Sequence, residues 1–560
     1  MLHLVALLGV CLAVQLWTST QAATLALDAV KFAACAQSIE SQGLLRALRE
    51  HDLHPLFPTW LWAVHFVLAP TISGVLGTDL PVWATSLKIA STIPLVLCLI
   101  PLFWMLRRLH DSETALAGGI LFCVLPQIAR LGAEGLPDSF HLLFFLCAAA
   151  ALAEFFVRAN EAQDASRSQD ATASGLGWPL LVGCGGAIGL ACLARLETLV
   201  LVPAAVCVLL LGHGFPSQRP LRRRILECAA LAAGMLLFLA PYVAATGKIL
   251  PKHGVQFSFA DSGADRVAEH RSSSPVPNLI LPDGSPMAFP KKETTVSSRR
   301  YGILFAAREF VGELFQAFGY WGGLLAIHGW IRMRRSRVPT FDLVAFVFLA
   351  LFTVIAVAYA ARSGYLSGRH LSLVVVLGLG CAGRGALELG RSLASWPRIA
   401  ASESLSSKAA WSPLALAVIM MAPHTLQPLH ASHEGHRRAS EWLAAASIPG
   451  DKVLDTHGWT LLHSGRTTYL YETAREAMED PNLRWFVLEA KELTPDSARA
   501  RTLRHVLDAA GSRVASFGDP LDRDERRANA PPTDKQVDRV LVFRWNPDRW
   551  RSLRTATTTH

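Results

Sequence analysis

With 560 residues, 51% of them hydrophobic, and a mean hydropathy of +0.32, the chain is too apolar for an ordinary soluble protein and long enough for two or more domains. The formal charge of +9 comes in basic clusters between apolar runs, which is a topology signal and excludes a nucleic-acid patch as its main meaning. A polytopic α-helical membrane protein is expected, with no nucleic-acid partner.

In chain order, residues 3–20 form an apolar run that ends in Thr20-Gln21-Ala22-Ala23. The small residues resemble a cleavage site, but the basic segment that precedes one is missing, so the run is expected to be an uncleaved first helix. Runs near the ~20 residues needed to cross a bilayer follow at 83–105, 114–130, 139–157, 178–194, 197–213, 225–246, 314–331, 341–361, 371–388 and 410–427. With the first, they predict about eleven transmembrane helices. Basic residues at Arg107-Arg108, Arg158 with Arg167, Arg219 to Arg224, Arg332 to Arg337 and Arg391 to Lys408 occupy every second gap, which the positive-inside rule makes cytoplasmic.

Parity then assigns the other gaps to the outside. Residues 23–82 form a first extracytoplasmic loop, in which the apolar segment 56–77 is read as a juxtamembrane or re-entrant helix because a crossing would break the charge alternation. Residues 247–312 form a long extracytoplasmic loop. The transmembrane domain covers 1–428, and 429–560 reads as an extracytoplasmic soluble α/β domain. There, short apolar runs at 453–454, 468–471, 485–488 and 540–543 alternate with helical patterns, which predicts a small parallel sheet. It contains no glycine-rich phosphate loop, so an accessory or recognition role is expected. Nine of the ten cysteines lie in or at the ends of apolar runs and Cys35 stands alone, so neither a disulfide framework nor a metal site follows from spacing.

Ionisable residues beside a lipid surface are costly unless hydrated, paired or working. On the outer face they gather in a few places. Asp28 follows the first helix in LALDAVKFA, where capping a helix is the alternative to chemistry. Asp52 and His54 belong to REHDLHPLFP, whose two histidines three apart suggest hydrogen bonding to substrate more than metal ligation. Glu134 and Asp138 lie in the turn of RLGAEGLPDSFH, between two helices. Arg195 with Glu197 reads as a structural pair. Lys88, Lys252, and Arg369-His370 in GYLSGRH stand at helix ends or within helices, and a guanidinium at such a helix mouth can meet phosphate oxygens bidentately.

In these motifs the chain resembles the GT-C glycosyltransferases that use polyprenyl-phosphate sugars, in the bacterial group related to protein O-mannosyltransferases and the lipid A aminoarabinose transferase. The resemblance covers most of the membrane domain and rests on Asp28, His54-Pro55-Leu56, Lys88, the Leu-Pro-Asp turn ending in Asp138, and Arg369-His370. It implies an inverting transfer of sugar from a polyprenyl-phosphate donor to an acceptor hydroxyl of a glycan, lipid or protein, with Asp28 as general base. It also implies a site at the extracytoplasmic face, in a bacterial inner (plasma) membrane. Where many relatives carry two adjacent acidic residues, Asp28 is followed by Ala29, and His54-Pro55-Leu56 lacks the doubled proline of some members. Asp52, His54, Lys88, Glu134, Asp138, Lys252, Arg369 and His370 are the substrate-binding candidates. No cofactor and no metal ligand is assigned, a divalent cation being left open. The rivals are a transporter or flippase for a polar or lipid-linked solute, which usually shows internal repeats not seen here, and a non-catalytic scaffold.

Overall fold

The computed structural model describes residues 1–76, 82–167, 177–211, 220–247, 302–332, 339–400, 402–494, 498–518 and 539–558. The 247–312 loop falls largely outside them, and Lys252 with it.

Among the described residues eight helices are long and apolar enough to cross a membrane: Leu2–Gln21, Val82–Leu109, Asp138–Glu161, Gly177–Ala194, Leu221–Thr246, Thr340–Ser363, Gly368–Ala394 and Ser404–Thr425. A ninth results if the bent pair Ser112–Val124 and Pro126–Ala133 is one span. Local chemistry accounts for the shortfall from about eleven. The expected span 114–130 bends by 59° before Pro126, whose ring drives Leu125 to φ −67°, ψ 120°. The run 197–213 begins as a 3-10 turn, Leu196–Val200, and among the described residues is α-helical from Leu201 to Leu211. The run 314–331 is divided into Ile303–Ala317 and Trp321–Arg332 by left-handed backbone at Gly319 and Tyr320. Residues Leu56–Thr71 form a shorter apolar helix.

Helix contacts are close where glycine permits it. A Cβ on Gly185 would meet the carbonyl of Leu231, and one on Gly234 would meet that of Val182, so Gly177–Ala194 and Leu221–Thr246 pack backbone to backbone. The ten cysteines are free, and most are buried.

Past the last span lies a five-stranded sheet in the order β2-β1-β3-β5-β4, made of β1 (Lys452–Asp455), β2 (Thr468–Tyr469), β3 (Leu483–Glu489), β4 (Gly511–Phe517) and β5 (Val540–Trp545). It is mixed where an all-parallel sheet was expected: β1, β2 and β3 run parallel, but β5 is antiparallel to both β3 and β4. Strand β4 carries no apolar run in the sequence because it is an edge strand, with Ser512, Arg513 and Val514 exposed. Central strand β3 is buried on both faces. Phe486 and Leu488 meet the helix side that holds Leu503 and Trp550, while Trp485 and Val487 pack with Ala439 and Leu443 of the helix Glu434–Ala446.

This unit is joined to the first loop by a shared core. Trp459, Leu461 and Leu462, in the short helix after β1, pack with Leu25, Ala29, Val30, Phe57, Leu87 and Leu136. The Trp459 indole donates to the carbonyl of Leu25 at 3.0 Å, and the Ala23 amide donates to that of Leu429 at 3.0 Å. Two bonds from the C-terminal unit therefore hold the residues just before Asp28.

Candidate functional site

Asp28 stands in the first turn of the helix Leu27–Gln42. The N-cap is Ala26 and has no side-chain cap, so the carboxylate occupies the positive end of the helix without being the capping group. Two supports set its position. The Ala26 amide donates to the carbonyl of Glu134 at 3.1 Å. Below it, Gly135 takes φ 70°, and a side chain there would press within 3.3 Å of both Ala29 and Leu87. The turn 134–137 and the Asp28 helix thus form one packed piece.

The Asp28 side chain is 50% exposed and lies 3.2 Å from Lys31 Nζ and 3.9 Å from Arg369 Nη2. Arg369 belongs to the 3-10 turn Gly368–Leu371. That turn is seated close to its neighbours: the Gly368 amide donates to the Glu313 carboxylate, and a Cβ on Gly368 would lie 3.1 Å from Gln127 Oε1. His370 packs edge-on against Tyr359, with ring centroids 5.6 Å apart.

Behind this pair is a buried charge knot. Arg195 leaves the end of Gly177–Ala194 in extended backbone, donates Nη1 to Asp138 Oδ1, and donates Nε and Nη2 to Glu197 Oε1 at 3.0 and 2.5 Å. Asp138 is 3% exposed and begins the helix Asp138–Arg167, and its carboxylate accepts from Arg195. His141, one turn further on, shares a 2.6 Å hydrogen bond with Thr198. Arg195 also lies within electrostatic range of Asp28 and of His370. Burial pushes the Glu134 carboxyl up to about 7, against the pull of Arg369 and Arg130 and with help from Asp138. A carboxyl poised there can take or release a proton near neutral pH.

The structure brings Asp28, Glu134, Asp138, Arg369 and His370 together, and puts His54 within electrostatic range of His141 beside them. Two of the other candidates are placed elsewhere. Lys88 donates to the Ser19 carbonyl at 2.7 Å, under the C-terminal unit. Asp52 lies in range of Tyr242, where Arg49 also donates to the Ala245 carbonyl, so that end of the loop is tied to the helix Leu221–Thr246. Sequence reading missed Arg195 and Glu197 as members of the site and Lys31 as a partner of Asp28. The i, i+3 spacing of Asp28 and Lys31 was a usable signal, whereas nothing in the sequence joined Arg195 to Asp138, 57 residues away. Metal-ligand geometry occurs in one place among the described residues, at His433, His436 and Glu489 in the C-terminal unit.

No known family pattern and no curated protein sequence matches the chain. Solved structures do resemble it in fold. The Archaeoglobus fulgidus oligosaccharyltransferase in its apo form superposes with a TM-score of 0.57 at 10% identity, covering 97% of this chain and 88% of its own. ArnT from Cupriavidus metallidurans bound to undecaprenyl phosphate gives 0.57 at 14% identity, with 96% and 97% covered, and its apo state gives 0.54 at 12%, with 97% and 98% covered. At these identities the likeness concerns the fold: a polytopic helical, GT-C-like architecture followed by a small C-terminal α/β unit.

Proposed function

We propose, from this GT-C-like fold, that the chain is an inverting glycosyltransferase that moves a sugar from a polyprenyl-phosphate donor to an acceptor hydroxyl. The site faces the extracytoplasmic side of a bacterial inner (plasma) membrane, and Asp28 is the general base. The observation that carries the reading is the approach of Asp28 and Arg369 to 3.9 Å. It sets a proton acceptor beside a group able to hold a phosphate. One of the similar structures is bound to undecaprenyl phosphate, which is the donor's carrier chemistry.

In the proposed step the acceptor oxygen attacks the anomeric carbon while its proton passes to Asp28. The bond from that carbon to the phosphate oxygen breaks, and its electron pair leaves with the polyprenyl phosphate. Arg369 meets the phosphate oxygens bidentately and steadies the charge that grows on them. Attack and departure on opposite faces invert the anomeric configuration. Arg195, held by Asp138 and Glu197, adds a fixed positive potential behind the pair. His54, Glu134 and His370 border the same space and are assigned to substrate contact.

The test is release of free undecaprenyl phosphate from undecaprenyl-phosphate sugars by purified protein, with membrane glycolipid or peptide acceptors supplied. Acceptor-dependent release with the sugar recovered on the acceptor supports the reading. Movement of intact donor between leaflets without cleavage overturns it in favour of a transporter.

A further inference from the structure

At the root of the C-terminal unit three histidine rings crowd around one tryptophan. His433 and His436 stand one turn apart at the start of the helix Glu434–Ala446, and His457 follows β1. Their ring centroids lie 4.8, 4.4 and 5.3 Å from that of Trp459. Glu489, the last residue of β3, reaches the same spot. The ligating atoms of His433, His436 and Glu489 all lie within 4.8 Å of one another.

We infer that His433, His436 and Glu489 form a binding site for a zinc-class divalent cation that ties the helix Glu434–Ala446 to β3 beside Trp459, the residue that bonds the C-terminal unit to the Asp28 segment. Two imidazoles and a carboxylate are a donor set suited to zinc and its neighbours, whereas magnesium and calcium prefer oxygen ligands throughout. The carboxylate is oriented for the task. Glu489 Oε1 faces His436 Nε2 at 3.0 Å, and its other oxygen is held by Lys491 Nζ at 2.7 Å, an outer contact of the kind that fixes a ligand's direction.

Burial argues in the same direction. His436 and Glu489 are 0% and 1% exposed, and His436 Nδ1 has no hydrogen-bond partner among the described residues. An imidazole and a carboxylate buried this deeply are costly to desolvate, and the binding energy of a cation offsets that cost. His433 is half-buried, so the site has a way in from solvent.

The location gives the ion its role. Trp459, against which the rings pack, donates to the carbonyl of Leu25, three residues before Asp28. The cation would join the helix Glu434–Ala446 to β3 beside Trp459. It takes no part in sugar transfer, and the inference is independent of the proposed reaction.

The experiment uses the full chain, purified in detergent without a polyhistidine tag, stripped with a chelator and reloaded with zinc chloride alone. Zinc content after desalting and the thermal unfolding midpoint are read together. One zinc per chain and a raised midpoint are expected for wild type and for the exposed-site control His424→Gln. His433→Gln and Glu489→Gln should each weaken zinc binding by at least ~10-fold. His433→Gln alters a half-buried residue, so it reports even if Glu489→Gln fails to fold. Zinc no higher than in the buffer for reloaded wild type, or equal zinc in wild type and His433→Gln, would overturn the inference.

Discussion

Replacing Arg195 by leucine should be among the most damaging single changes in the membrane domain. Arg195 is 16% exposed and compensates both Asp138, at 3%, and Glu197, at 28%. Asp138 Oδ2 is already buried without a hydrogen-bond partner among the described residues, so removing the guanidinium strands a carboxylate that water does not reach. Breaking a buried pair in this way costs about 3–5 kcal/mol, much more than an exposed pair is worth. Asp138→Asn should cost less, since Arg195 retains Glu197 at 2.5 Å and only a charged hydrogen bond of about 1.5–3 kcal/mol is lost. Arg195→Lys should fall between the two. Unfolding of the detergent-solubilised variants, followed by tryptophan fluorescence, gives the order. An Arg195→Leu variant within about 0.5 kcal/mol of wild type, the range of an ordinary surface change, would refute the claim that this knot holds the site together.

Other outcomes follow from the same geometry. Arg369→Lys keeps the charge but not the planar fork, so donor turnover should fall about 10- to 100-fold, short of the ~100- to 1,000-fold of losing a positioned donor outright. Unchanged turnover would remove Arg369 from phosphate recognition. The Glu134 carboxyl titrates at about 7 in the fold against an ordinary 4.5, so the folded state holds its proton more tightly and loses stability as pH rises from 4.5 to about 7. Glu134→Gln should therefore stabilise the protein at pH 8, by up to ~3 kcal/mol, and do little at pH 4; equal effects at both pH values would contradict the shift. Trp459→Ala removes a side chain 2% exposed and the bond to Leu25, a loss of about 3–5 kcal/mol. Limited proteolysis near residues 426–434 should then accelerate, and an unchanged digestion pattern would speak against the docking role.

Much of the membrane domain was legible because a bilayer demands long apolar runs, and these are visible in sequence one at a time. The runs that misled did so through backbone chemistry inside them: Pro126 bends one, and the left-handed pair Gly319-Tyr320 divides another. Strands β1, β2, β3 and β5 announced themselves by short apolar runs, while edge strand β4 had none to show. Within the site, Asp28, Glu134, Asp138 and Arg369 could be picked out as charges beside lipid. The bond from Arg195 to Asp138 could not, because it depends on how separate helices meet, and a local ion pair with Glu197 was the nearer explanation. The metal-ligand group was hidden for the same reason, since Glu489 is 53 residues from His436.

The most direct measurement is the rate of sugar transfer from a polyprenyl-phosphate donor by purified Asp28→Asn protein, with Glu40→Gln as its companion. Asp28→Asn keeps the size of the side chain and most of its hydrogen bonding but loses basicity. Turnover should drop by the ~100- to 10,000-fold typical of a positioned acid–base group, with the unfolding midpoint and undecaprenyl phosphate binding retained. Glu40→Gln should stay close to wild type, because Glu40 lies on an exposed face near the far end of the same helix. Asp28→Asn at wild-type turnover, or Glu40→Gln at background with Asp28→Asn active, would contradict the assignment of Asp28 as the base.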